Sequence, residues 1–218
     1  MQKIMFNDRY GLTKAVLAGR KTQTRRIIPQ AWLDRAKQFR EDYFNDTLDC
    51  LEEKQLLEQY FLVDRRMNPH YTVGEVLAVA QSLRDLGYNA DDRTGGNIWG
   101  LDKSVAWNNK MFVSAKQCKN HILITGIRLE RLQDISDEDC LKEGISLWTE
   151  AEDYNDARIK KSVDELIAAG ITPYQIPRCW DCFTSPKAAY AALIDKVSGK
   201  GTWEKNPWVF VYDFGLEK

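Results

Sequence analysis

The stretch Trp208-Val209-Phe210-Val211-Tyr212-Asp213-Phe214 constrains the fold more than any other part of the chain. Side chains alternate across a strand, so a strand with one wet face shows apolar and polar residues in turn. Here both faces are largely apolar. Gln2 to Phe6 reads as a short strand at the opposite end. Strands at both termini imply a sheet or barrel that closes one domain.

Between them the punctuation is legible. Asn7 or Asp8 can cap a helix carrying Leu12, Ala15 and Val16, and Gly19 is a natural stop. Residues 31 to 65 mix charge with apolar residues at irregular spacing and read as one or two surface helices. Tyr71 to Gln81 reads as a strand after a turn at Gly74, with Leu77, Val79 and Gln81 on one face. Residues 82 to 110 hold Gly87, Gly95 and Gly96 and read as a long irregular segment, a form that often serves as a lid or mobile insertion. Met111 to Ser114 and His121 to Leu132 read as two strands. Ser136 opens a helix that Gly144 ends; Ala157 to Ala169 forms another; Ser185-Pro186 caps a third that stops at Gly199.

Of 218 residues, 44% are hydrophobic and 29% charged, which excludes a disordered or fibrous chain. The longest apolar stretches, Val76 to Ala80 and Ile122 to Ile127, fall far short of the roughly 20 residues that span a bilayer. The N-terminus reaches charge before an apolar signal core can form, so the expectation is a cytoplasmic protein without a membrane partner. Five cysteines, an odd count in a chain of this size, fit free thiols in a reducing compartment. Cys118-x-x-His121 and Cys179-x-x-Cys182 together supply four zinc-type ligands. The pairs lie far apart, however, and His121 opens a strand, so no metal or other cofactor is expected.

The net charge of −1 hides an asymmetry. Residues 1 to 30 hold seven cations against Asp8 alone, whereas residues 134 to 156 hold nine acids against Lys142. The first segment could face phosphate and the second could not. Arg20, Arg25 and Arg26 are the candidate phosphate contacts, because a guanidinium binds phosphate with two prongs. The alternative is that they pair with the acids at Asp137 to Asp139. Tyr88, Trp99 and Trp107 lie in or beside the glycine-containing segment, where an aromatic could stack on an unpaired base. Core packing is the alternative for Trp107.

Gly19-Arg20-Lys21-Thr22-Gln23-Thr24-Arg25-Arg26 resembles the G-x-K-T-x-T-x-R signature of ASCH domains, members of the PUA-like superfamily. The resemblance continues through Val73-Gly74-Glu75-Val76-Leu77-Ala78-Val79, Ile124 to Leu132, Leu132 to Ser136 with the Glu138 to Gly144 helix, and Trp203 with Asn206-Pro207-Trp208-Val209. This set is similar to phage and prophage ASCH-like proteins of unassigned function. Residues 31 to 70, 82 to 110 and 146 to 185 then look like insertions in one domain spanning 1 to 218.

The resemblance implies an α+β fold: a PUA-like mixed β-barrel flanked by helices, with helical and loop insertions and a cleft for a nucleotide base or RNA. Some members are amidohydrolases of N4-acetylcytidine that use a lysine and a threonine of this motif together with a glutamate. By position Lys21 and Thr24 carry over, while Gln81 stands where the glutamate is expected. Glutamine cannot take up a proton, and a general acid or base contributes typically ~10² to 10⁴-fold in rate. It can pair with the edge of a base. The expectation is therefore a module binding RNA or a modified nucleoside through Lys21, Thr24 and Gln81, with Arg20, Arg25 and Arg26 at the mouth. The alternative is an amidohydrolase with Thr24 as nucleophile and Lys21 as its base, which in a straight strand would require a turn or bulge between them.

Overall fold

The computed structural model describes residues 1–43, 52–63, 69–88, 106–151 and 156–217. In chain order the strands are β1 (Lys3–Ile4), β2 (Gln23–Ile27), β3 (Val76–Val79), β4 (His121–Arg131), β5 (Ser146–Leu147), β6 (Tyr174–Gln175) and β7 (Trp208–Glu217). The helices are α1 (Leu12–Leu17), α2 (Gln30–Tyr43), α3 (Glu53–Glu58), α4 (Asp137–Lys142), α5 (Ala157–Ala168), α6 (Pro186–Ser198) and α7 (Thr202–Lys205). Five strands form one mixed sheet in the order β1-β3-β4-β7-β2, with β5 and β6 paired apart. Only β1 and β3 run parallel within the larger sheet. The architecture is α+β, as the sequence implied.

The apolar character of β7 follows from its position. It lies between β4 and β2, and Trp208 through Tyr212 are all buried. On one face Phe210 meets Phe61 at 5.4 Å and Trp32 at 6.5 Å between ring centroids. Those rings come from the segment expected to be superficial. In fact α2 and α3, with the turn Gln59–Val63 that follows, deliver Ala36, Leu57, Tyr60 and Phe61 to the main core. The charged residues there disguise a narrow apolar stripe. Helices α4 and α6 pack on each other, and α4 also meets β2.

The sheet is open. No ladder joins its two edges, β1 and β2, among the described residues. Side chains nevertheless bring the two ends close: Arg26 Nη2 donates to Met5 O at 2.8 Å, and Lys21 Nζ lies 5.8 Å from the Phe6 ring centroid. The edge of β2 is also occupied, because Gln23 O accepts from Lys21 Nζ at 2.7 Å.

Several caps match the sequence. Ser136 Oγ accepts from the Asp139 amide and Ser185 Oγ from the Ala188 amide, with Pro186 in the first turn of α6. Gly19, at φ 70°, turns the chain out of α1. The start of α1 differs: Gly11 takes the N-cap position, while Asn7 Oδ1 accepts from the Arg9 amide to build the preceding turn. Met111 to Ser114 is not a strand. A 3-10 turn, Lys110–Phe112, occupies that stretch. Its carbonyls are satisfied by a side chain, since Lys3 Nζ donates to Lys110 O, Met111 O and Val113 O at 3.1, 2.8 and 2.7 Å. Lys110 answers with bonds to Phe6 O and Thr13 Oγ1 and an ion pair with Asp8 at 2.8 Å.

Candidate functional site: the two faces of β2

The motif lies where expected, on the turn after α1 and along β2, and the alternation of the strand divides it. Gln23 and Arg25 stand opposite Asp213 and Val211 on one face; Thr24 and Arg26 stand opposite Tyr212 and Phe210 on the other. Lys21 precedes the strand and lies at its edge.

The first face carries a buried network of charge. Lys21 Nζ, on a side chain only 2% exposed, lies 2.5 Å from Glu143 Oε2 and 2.8 Å from Glu143 O. With Gln23 O, all three ammonium hydrogens have acceptors. Arg25 reaches Glu143 Oε1, Glu130 Oε2 and Asp139 Oδ2 at 3.2, 3.1 and 3.2 Å, and donates to Gln23 Oε1 at 2.5 Å. Gln23 Nε2 passes the chain on to Asp213 Oδ1 at 2.7 Å. Arg128 closes the outer side through Glu130, Asp139 and Asp213 at 2.5, 2.8 and 2.5 Å. Unlike Arg25, it is about one-third exposed.

The electrostatics follow from this geometry. Burial drives the Lys21 pKa below its usual value, with Glu143 opposing. Burial would raise the Asp139 pKa, but Arg25 and Arg128 outweigh it and hold the carboxyl below its ordinary range. Cys140, in the same layer, is pushed up to about 12 by burial and stays a thiol. Burial also puts the Tyr190 hydroxyl well above the usual phenol value, with Glu143 adding to the effect.

The second face is aromatic. Tyr71 lies against Tyr212 at 5.3 Å, ring to ring and edge-on, and Arg26 is close enough to bias both phenols. Thr24 is buried and Arg26 half-buried. The Tyr212 hydroxyl is buried without a hydrogen-bond partner; the amides of His70 and Tyr71 approach its oxygen without reaching hydrogen-bond geometry. Burial raises this phenol to about 12 and keeps it protonated.

The remaining expected residues lie elsewhere. Arg20 is exposed. Gln81 is buried and accepts from Asn120 Nδ2 at 2.9 Å. It follows the end of β3, a strand that stands three strand spacings from β2 along the sheet, roughly 14 Å. No hydrogen bond joins Gln81 to Lys21 or Thr24 among the described residues. The carboxylate that does meet Lys21 is Glu143, at the C-terminal end of α4, which the sequence reading passed over. Its signal was the acidic helix itself, considered only as a partner for arginines.

Arg25 realises that pairing alternative. Tyr88 and Trp107 pack on a small cluster with Leu83, Leu86, Ala106, Val113 and Cys118; Trp99 lies outside the described residues. Cys118 belongs to that cluster and Cys179 packs on the main core, so the two halves of the zinc-type set fall in different places. Among the described residues no group of three or more His, Cys, Asp or Glu side chains is arranged to hold a metal ion. None of their helices is long and apolar enough to cross a membrane. A shallow depression along α5, at Lys160 to Ala168, carries no motif residue. No family model, curated protein or solved structure matches this chain.

Proposed function

We propose that the chain is an ASCH-like domain of the PUA class that binds RNA or a modified nucleoside at the Thr24–Arg26 face of β2. The observation that carries the reading is the composition of that face. Two tyrosine rings, a half-buried guanidinium, a threonine hydroxyl and an unpaired phenol adjoin one another where the ends of the sheet approach. Aromatic rings suit a base and convergent donors suit its polar edge or a phosphate; Tyr71, Tyr212 and Thr24 are buried, so a ligand reaches them past half-buried Arg26. The open sheet, curled by the Arg26 to Met5 contact, stands in this reading for the family's barrel. Lys21 and Arg25 hold the motif in place from the other side.

Calorimetric titration with cytidine, N4-acetylcytidine and a short RNA tests the reading. Saturable binding that Arg26→Ala weakens about tenfold is expected. Heats without saturation for every ligand would remove it.

Glu143 favours a second reading, hydrolysis of an N-acylated nucleoside. It provides an acid 2.5 Å from Lys21 Nζ, which Gln81 does not. Lys21 could serve as base for Thr24 only after releasing one of its three acceptors and a proton. Product formation from N4-acetylcytidine, followed by mass and abolished in a Glu143→Gln protein that circular dichroism shows to be folded, would establish this reading over simple binding.

A further inference from the structure

We infer a second contact surface for a single-stranded polynucleotide, built where the turn Asp8 to Gly11 meets the loop Pro177 to Phe183. The inference rests on the nucleic-acid reading of β2 and extends it to the strand flanking the bound base.

The two segments are packed together. Arg178 Nη1 donates to Asp8 O at 2.9 Å, and a Cβ on Gly11 would lie 3.5 Å from Pro177 Cβ and 3.7 Å from Arg178 Nε. Arg178 is one of two non-glycine residues at positive φ among those described, at 63°. A side chain at such φ is disfavoured by contact with its own backbone, so the conformation persists only where its surroundings impose it. Here it holds the guanidinium over the turn. Arg9, exposed, lies 5.7 Å from the Tyr10 ring centroid, and its charge reaches Cys179 in the loop. The charge of Lys196 of α6 also reaches Cys179, and its pairing with Asp181 at 2.9 Å sets a third cation beside the same loop. Asp181 and Asp8, the latter paired with Lys110, are the acids that temper the patch. In the same loop Trp180 leaves 54% of its surface exposed, unlike the buried Trp148 and Trp208.

Three exposed cations and an exposed indole carried on or beside these packed segments match the chemistry of a single strand. Phosphates meet the cations, and any base can stack on the ring. Position adds to the case. Phe6 lies beside Lys21, and Arg9 follows three residues later, within about 10 Å even if the chain is extended. A strand seated with one base at Thr24 and Arg26 would thus find the second surface along the same N-terminal segment.

The test uses fluorescence anisotropy of labelled 12-nucleotide RNA and DNA single strands, with free-nucleoside calorimetry on the same proteins. Trp180→Ala and the pair Arg9→Ala with Arg178→Gly are the variants; glycine keeps the left-handed backbone while removing the guanidinium. Expected are roughly tenfold weaker oligonucleotide binding for Trp180→Ala and a salt slope smaller by about 2 for the double variant, with nucleoside binding unchanged. RNA and DNA arms that respond alike assign the surface to the shared backbone and bases; a response in the RNA arm alone assigns it to RNA. Oligonucleotide binding that survives both variants but falls with Arg26→Ala would overturn this surface and leave the β2 reading standing. A protein that binds neither oligonucleotide nor nucleoside overturns both.

Discussion

Glu143 Oε2 lies 2.5 Å from Lys21 Nζ, although 122 positions separate the two residues. The contact joins the end of α4 to the loop that precedes β2, and it explains why a motif rich in cations can enter the interior. A buried ammonium is costly without a countercharge and full hydrogen bonding. Lys21 has both. Part of the positive charge of the first 30 residues is therefore internal: Lys21 and Arg25 face acids, while Arg9, Lys14 and Arg20 stay exposed. The N-terminal and acidic segments that looked like opposed surfaces in the sequence are joined where Lys21 and Arg25 meet Asp139 and Glu143.

The two ends of this contact are unequal. Glu143 serves both Lys21 and Arg25, whereas among the described residues Lys21 has Glu143 as its single carboxylate contact. Glu143→Gln should destabilise the fold by about 3 to 5 kcal/mol, since buried Lys21 loses its carboxylate and Arg25 keeps only Glu130 and Asp139. Lys21→Met removes the ammonium and leaves Glu143 with Arg25, so its loss should be smaller. Urea denaturation midpoints of the two variants check the order.

The same layer sets a response to acid. The Asp139 pKa is depressed in the fold, so its contribution to stability is present above the ordinary carboxyl value of the unfolded chain and is lost as pH falls through the folded value. Stability should fall on acidification below about pH 4. Asp139→Asn should start lower and lose less over that range. Thermal melts from pH 7 to pH 3 compare the two slopes.

What the sequence disclosed depended on how local the cause was. Ser136, Ser185-Pro186 and Gly19 mark helix ends because each acts on backbone within a few residues. The two apolar faces of Trp208 to Tyr212 gave away a strand that proves to have a neighbour on either side. Met111 to Ser114 misled because its turn is capped by Asn109 and its carbonyls are held by Lys3, more than a hundred positions away. Glu143 was hidden for the same reason, and so was the split of the motif into a charged face and an aromatic one. Apolar stripes in α2 and α3 were diluted by charge and left their core residues unread.

Gly126 marks a tight approach within the network. It lies at the irregularity where β4 shifts register against β7, and a Cβ there would sit 3.2 Å from Asp213 Oδ2. Gly126→Ala would press that carboxylate away from Arg128, which it meets at 2.5 Å. A loss of about 1 kcal/mol is expected, because Asp213 is a side chain with some freedom to yield. The combined variant Gly126→Ala with Arg128→Ala should lose less than the sum of the two, as both disturb one ion pair. A double-mutant cycle by denaturant titration reads this directly.

Tyr212 separates a binding role from a structural one. Its hydroxyl is buried and unpaired, so Tyr212→Phe removes no completed hydrogen bond and keeps the contact with Tyr71. Stability should stay within about 0.5 kcal/mol of the parent or rise, since a buried unsatisfied polar group is unfavourable. A ligand whose polar edge uses that phenol would lose roughly tenfold in affinity in the same variant. Melting temperature and nucleoside calorimetry on one preparation supply both readings. Unchanged affinity beside unchanged stability would place the ligand away from this phenol, whereas weaker binding in an equally stable protein would fix the base against Tyr212.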